Sequence, residues 1–315
     1  MKKIISAVLA AFIMLSLCSC STGSKAVLVI AGTEINSEIF TYFLDQVTSR
    51  PADYGLDVNP EKDDIKQAAI DECKQYLAAN TMFKGKNLTL SAAEKVGISD
   101  NVNHFWMRFE NHYKNIGVSK QTLTKIMTAQ AYENAIFTAT YDRGVGDAAA
   151  EKKLTDYFYS NYVCFRNVCA YFTSADGATP MTQQEKNDLL VAFDSMVSNV
   201  GANVEDFSVT VTNAGYTLSD TVLLKKGSDG YPEGFFEKVA AQKIGTVQTV
   251  VYDECVFAVW KEDLADKGES VYASYRSACI SDLYADEAQQ AMNEYIEALE
   301  VKEKNGINSI INKMV

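Results

Sequence analysis

The sequence predicts an α+β protein in which a small sheet unit interrupts a mostly helical chain. Apolar residues recur every three to four positions through 36–142, which is typical of amphipathic helices. A run rich in strand formers follows at 163–172, and a hairpin pattern spans 247–260. Residues 270–304 return to helical spacing. The helical segments therefore flank the sheet unit on both sides in the chain.

Charge and composition exclude several classes of protein. The 315 residues include 29 Lys and Arg against 41 Asp and Glu, a formal net charge of -12. Such a chain repels the phosphate backbone, so we expect no nucleic-acid partner. Four prolines and 17 glycines exclude collagen-like and Pro/Gly-rich disordered chains. Two histidines exclude a site that needs three imidazoles.

The N-terminus predicts export. Two lysines precede an uncharged apolar run at 4–17, which is short for a membrane span and typical of a signal-peptide core. The Leu-Cys-Ser-Cys sequence that ends at Cys20 resembles the bacterial lipobox, which implies cleavage before Cys20 and diacylglycerol on its sulfur. We therefore expect a signal peptide at 1–19 and a lipidated tether at 20–26, on the extracytoplasmic face of the cell membrane. An ordinary secretory signal that contains cysteines is the alternative.

Five further cysteines show no metal-binding or redox spacing. None forms a Cys-x-x-Cys pair, and their number is odd. Free thiols that act as small buried hydrophobic groups are the favoured interpretation, and we expect no metal and no cofactor. These cysteines are Cys73, Cys164, Cys169, Cys255 and Cys279.

Each helical element follows from a cap and a periodic apolar face. The strand-forming run 27–31 turns at Gly32 and continues into a helix capped by Asn36 or Ser37. Ser91 and Glu94 form a capping box. We predict further helices at 62–84, 91–96, 100–115, 119–142 and 148–161, and near the C-terminus at 270–304 and 306–315.

The sheet unit alternates strands with short helices. Thr182 and Glu185 form a second capping box, which starts a helix that reaches about 199. We predict extended chain at 163–172, 207–212, 216–224, 247–251 and 255–260, and short helices at 203–207 and 235–242.

Three segments resemble the SurA and PrsA type of extracytoplasmic foldase. Val29–Phe40 is similar to the pattern VNGxxIxxxxF that opens the family's helical chaperone domain. Ala150–Asn161 with Arg166–Phe172 is similar to ELxxYYxxN…RxxHILF at the start of its parvulin-type prolyl isomerase domain. Gly234–Val250 is similar to FxxAAFxLxxGxVSxPV within that domain.

The resemblance implies a domain organisation and a class of partner. It implies a helical chaperone domain at 27–146 and a parvulin-like domain with a four-stranded antiparallel sheet at 147–265. C-terminal helices at 266–315 would pack back on the chaperone domain. The partners implied are unfolded or nascent exported polypeptides.

The chain departs from the family at the site for catalysis. The parvulin domain has two histidines that face each other across neighbouring strands, and these positions correspond here to Cys169 and Phe257. The only histidines, His104 and His112, lie in the helical region, where we expect structural roles. No catalytic residue is therefore predicted with both imidazoles absent.

The resemblance also assigns a binding slot. The aromatic residue that contacts the proline ring corresponds to Phe235, and its apolar neighbour corresponds to Tyr231, although both could equally be core residues. If the strands that carry Cys169 and Cys255 are neighbours, as the family fold implies, these thiols come close enough to bond.

Prolyl isomerisation has a barrier of ~20 kcal/mol that arises from amide resonance, so a catalyst must favour the twisted amide. Without the two imidazoles, an apolar slot for the proline ring can remain, but the polar groups that would favour the twisted amide are missing. We therefore expect a membrane-anchored foldase or chaperone whose parvulin-like domain has weak or no isomerase activity. An active isomerase with a reorganised site is one alternative, and a solute-binding or assembly lipoprotein is another.

Overall fold

The computed structural model describes residues 24–174, 177, 179–201, 203–267 and 269–315. The predicted signal peptide and Cys20 lie outside these residues. The chain divides into two compact units. The described residues up to Asp142 form the first unit together with Tyr284–Val315, and Arg143–Leu283 form the second.

The described part of the chain contains helices and strands in the following order. The first part of the chain comprises β1 (Ala26–Ile30), β2 (Thr33–Asn36), α1 (Ser37–Ser49), α2 (Lys62–Gly85), α3 (Ala92–Ile116) and α4 (Lys120–Tyr141). The rest comprises α5 (Ala148–Asn161), β3 (Tyr162–Tyr171), α6 (Gln183–Ser198), α7 (Val204–Asn213), β4 (Val222–Lys225), α8 (Phe235–Ala241), β5 (Val247–Val251), β6 (Cys255–Glu262), α9 (Glu269–Glu297), β7 (Val301–Glu303) and α10 (Ile307–Met314).

The first unit is a helical body with a small antiparallel sheet in the order β2-β1-β7. Gly32, at φ 81°, supplies the left-handed turn between β1 and β2. Leu28 lies opposite both Ile35 of β2 and Glu303 of β7, so the two ends of the unit meet on β1. Helix α1 is buried along most of its length against α2, and α2 and α3 each pack on α4.

The second unit has a four-stranded antiparallel sheet in the order β4-β3-β6-β5. One face packs on α8 through Phe235, Phe236 and Val239. The other face packs on α6 and α7 through Phe193 and Phe207. The predicted α+β class, with a four-stranded antiparallel sheet beside a helical part, is confirmed.

One segment predicted as strand is helix. Residues 207–212 alternate Phe, Val and Thr, which favours extended chain, but they lie inside α7. The Asn203 side chain accepts a hydrogen bond from the Asp206 amide and starts the helix. Phe207 and Val211, one turn apart, are both fully buried against the sheet, and this packing outweighs the strand propensity of the Val and Thr residues.

Two helix boundaries also differ from the prediction. The predicted break between 96 and 100 is absent, because α3 is continuous and its irregularity is a non-helical Phe109. The predicted helix through 304 ends at Glu297, and Val301–Glu303 pairs with β1 instead. Three residues are too few to show a strand period, so β7 depends on the partner strand.

Candidate functional site

The positions predicted for the missing histidines lie directly opposite each other. Cys169 of β3 pairs with Phe257 of β6 in the antiparallel register. Successive side chains of a strand alternate between faces, so both residues lie on the face that packs against α8. This arrangement places a thiol and a phenyl ring where the family resemblance implies two imidazoles.

An aromatic cluster fills this face of the sheet. The Phe235 ring centroid lies 4.4 Å from that of Tyr231, 4.9 Å from that of Phe257 and 5.4 Å from that of Phe165. Phe235 is 1% exposed, and Phe257 is 5% exposed. The predicted proline slot is therefore occupied by the protein's own rings, and a ligand that reached Phe235 would have to displace a neighbour.

Tyr231 is that neighbour. Its half-buried ring stacks on Phe235 at an interplanar angle of 25°, and its hydroxyl accepts a hydrogen bond from Asn167 Nδ2 at 3.2 Å. Burial raises the pKa of the Tyr231 hydroxyl, against a smaller lowering by the Asn167 hydrogen bond. Asn167 thus holds the ring in place over Phe235, and both residues lie on the same face as Cys169.

The thiol and the tyrosine hydroxyl beside the cluster are not ionised at neutral pH. Burial, followed by the neighbouring Cys255, raises the pKa of the Cys169 thiol to about 12. Among the residues that the structure describes, the buried Tyr252 hydroxyl has no hydrogen-bond partner, and the Lys238 ammonium lies 4.1 Å from the centroid of its ring. A thiol with such a pKa is almost wholly protonated at neutral pH, so Cys169 is a poor nucleophile.

Neither histidine belongs to the second unit. Both lie on α3, where His104 is exposed and His112 Nε2 lies 3.0 Å from each carboxylate oxygen of Asp45. His112 therefore has the structural contact expected of it. The aromatic cluster has no imidazole to act as acid or base.

A carboxylate elsewhere in the second unit is fully engaged. Glu262, with 8% side-chain exposure, accepts hydrogen bonds from Thr221 Oγ1 at 2.8 Å and pairs with Arg166 and Lys267. Burial alone would raise the pKa of Glu262, but these partners together hold it below its usual value. Glu262 borders a cavity of about 210 Å³ that lies between Tyr159, Phe236 and Ile244, away from Tyr231. Its charge is balanced within the fold, so we assign it a structural role.

Helix α3 carries exposed apolar side chains that were not predicted from the sequence. Phe105 is 46% exposed, Met107 73% and Phe109 37%, whereas Val102 and Tyr113 are the buried residues of this helix. The Phe105 and Phe109 rings lie one turn apart with centroids at 6.0 Å. The signal was in the sequence, because Phe105–Phe109 holds four large apolar residues in five positions, more than one buried face of a helix can take.

Within the residues that the structure describes, no helix has the length and apolar character needed to cross a membrane. In the same residues, no group of three or more His, Cys, Asp or Glu side chains is placed to hold a metal ion.

No protein-family model and no curated protein matches the sequence. Solved structures that match include the foldase protein PrsA of Streptococcus pneumoniae, at 12% identity and TM-score 0.38, covering 90% of this chain and 97% of that one. The foldase protein PrsA of Lactococcus lactis matches at 14% identity and TM-score 0.40, covering 93% and 100%. A SurA-like chaperone of Campylobacter jejuni matches at 9% identity and TM-score 0.30, covering 89% and 99%.

Proposed function

We propose that this chain is an extracytoplasmic foldase that binds unfolded exported polypeptides and is anchored to the membrane by lipid on Cys20. Its helical unit supplies the binding surface, and its parvulin-like unit has weak or no isomerase activity. The single observation that carries the proposal is the exposure of Phe105, Met107 and Phe109 on α3.

The composition of this stretch suits an unfolded partner. Scattered exposed apolar residues are ordinary, but neighbouring ones mark contact surfaces. The Phe105 and Phe109 rings are neighbours that offer flat apolar area, and the Arg108 guanidinium lies 5.3 Å from the Phe109 ring centroid. Met107 adds a flexible exposed side chain on another side of the helix. Such a surface can accept many apolar segments without reading one sequence.

The test measures binding of an unfolded probe to the full chain. We expect the double substitution Phe105→Ser and Phe109→Ser to weaken binding of reduced, carboxymethylated α-lactalbumin by about tenfold or more, because two apolar anchors are lost. Fluorescence anisotropy of the labelled probe gives the Kd.

The matched control replaces two exposed valines of the second unit. Val191 and Val209 are 68% and 59% exposed, and their change to Ser should leave the Kd within about twofold. An unchanged Kd in the phenylalanine variant, or an equal loss in the valine variant, would reject α3 as the binding surface.

The weak-isomerase part of the proposal follows from the site. Phe257 adds apolar surface where a polar group would favour the twisted amide, and the Cys169 thiol stays protonated. In a protease-coupled assay with a proline tetrapeptide, we expect a rate within about twofold of the uncatalysed one. The competing candidate is an active isomerase, in which the Tyr231 ring would have to move off Phe235 to admit a proline. Clear turnover that Phe235→Ala abolishes in a folded variant would establish that candidate instead.

A further inference from the structure

Two cysteines of the second unit lie diagonally across neighbouring strands. Cys169 of β3 is opposite Phe257, and Cys255 of β6 is opposite Tyr171, so the cysteines are offset by two residues on one face. The right-handed twist of a sheet shortens the distance between residues on one diagonal. This matters because a disulfide can join only cysteines that lie close together.

The side chains of this pair already meet. The thiols of Cys169 and Cys255 are hydrogen-bonded to each other. The other described cysteines have different surroundings, since Cys164 donates to Glu262 Oε2 at 3.6 Å and Cys279 is buried on α9. Cys73 is buried in α2 of the first unit. Cys169 is the one of the five that is partly open to solvent, which gives an oxidant a point of attack.

We propose that Cys169 and Cys255 are a disulfide-forming pair, oxidised by a small or protein disulfide outside the cytoplasm. Cys169 loses its proton to solvent and attacks the donor disulfide, which forms a mixed disulfide and releases one donor thiolate. Cys255 then loses its proton and attacks Cys169 Sγ, which releases the second donor thiolate. The two protons end on the donor thiols, and two electrons pass from the protein to the donor.

Burial sets the rate and the durability of this bond. Burial is the main reason that the pKa of each thiol is raised, so little thiolate is present at neutral pH. Oxidation should therefore be slow at pH 7 and speed up about tenfold per pH unit towards pH 9. The same burial makes both thiolates poor leaving groups, so the disulfide should resist reduction once formed.

The test treats the full chain with oxidised glutathione, alkylates the remaining thiols and maps the peptides by mass spectrometry. We expect a linked Cys169–Cys255 peptide with the loss of two hydrogens, while Cys73, Cys164 and Cys279 are recovered as alkylated thiols. The Cys255→Ser variant should instead retain one glutathione on Cys169, and the Cys164→Ser control should link like the wild type.

Disulfide formation between Cys169 and Cys255 does not require chaperone activity, so a negative result here can be told apart from a failure of the proposed function. Full alkylation of both cysteines after oxidation at pH 9, or a linkage dominated by other cysteines, would overturn it. A Cys255→Ser protein with no glutathione on Cys169 would overturn the order of attack.

Discussion

Glu38 joins the first helix of the helical unit to the start of α4. Its carboxylate accepts hydrogen bonds from the Ser119 amide at 3.1 Å, the Ser119 hydroxyl at 2.5 Å and the Thr122 hydroxyl at 2.7 Å. Burial would raise its pKa, but these three hydrogen bonds together lower it. A lowered pKa means that the ionised form stabilises the fold above the unfolded-state pKa, and that this contribution is lost as the pH falls through the folded-state pKa.

We therefore expect Glu38→Gln to lower the free energy of unfolding at pH 7 by about 1 kcal/mol, with the difference shrinking below pH 4. Urea unfolding followed by circular dichroism measures this difference in the free energy of unfolding at pH 7 and below pH 4. Asp57→Asn, an exposed carboxyl in the loop before α2, is the control and should change little. A loss that is independent of pH would show that the charge of Glu38 is not responsible.

Glu72 on α2 has the opposite behaviour. Burial, followed by the nearby Glu133 and Asp71 carboxylates, raises its pKa from 4.5 to about 7. The folded state therefore binds a proton more tightly than the unfolded state, and this stabilisation is lost as the pH rises through about 7.

We expect the free energy of unfolding to fall between pH 5 and pH 8, and Glu72→Gln to recover about 1–2 kcal/mol of it at pH 8 after allowance for solvent screening. Denaturant titrations across this range test the slope. Asp64→Asn, an exposed carboxyl on the same helix, should leave the slope as it is. If the free energy of unfolding of the Glu72→Gln protein falls with pH as steeply as that of the wild type, a group other than Glu72 is responsible.

At the scale of elements, α3 is divided by its irregularity at Phe109. Beyond this point Tyr113 is buried and stacks near Tyr42, and His112 contacts Asp45, so the C-terminal part is fixed to α1. The part before it depends more on its capping box, in which Ser91 and Glu94 satisfy each other's amides. The exposed Phe105 and Met107 thus lie in the part of the helix that begins at this cap and that Val102 holds in the core.

We expect Ser91→Ala to cost about 1 kcal/mol in local stability and to speed amide hydrogen exchange in the first turns of α3 about fivefold, with α1 unchanged. Thr182→Ala removes the matching capping box of α6 and should speed exchange there without affecting α3. Amide hydrogen exchange measured by mass spectrometry tests this prediction. If α3 is equally protected in both variants, its capping box does not stabilise its first turns.

At the scale of the whole molecule, the proposed lipid anchor would decide where the chain works. We expect a fatty-acid label to be incorporated into the full chain, and Cys20→Ala to abolish the label and release the protein from washed membranes, because stable anchoring needs the buried acyl chains. Cys73→Ala, at a buried cysteine of α2, is the control. A wild-type chain that is exported but unlabelled would remove the lipid anchor from the proposed function.

The sequence predicted the α+β architecture, because caps and long amphipathic periods are local signals. It also placed Cys169 opposite Phe257, since the resemblance carries the strand register. It could not predict β7 or the extent of α7 beyond Phe207, whose conformations depend on Leu28 and on the burial of Phe207 and Val211. Nor could it show that Phe235 lies under Tyr231, because the order of rings within a cluster is decided by packing across the sheet.

The pairing of β1 with β7 has a consequence for biogenesis. Because the ribosome makes the chain from its N-terminus, β1 is synthesised before the second unit, and Val301–Glu303 follows that unit. Until β7 is made, the edge of β1 has no partner on that side, so the three-stranded sheet of the first unit is completed only after the second unit has been synthesised. A chain that is truncated before Val301 would leave this edge of β1 unpaired and open to unwanted association with other chains.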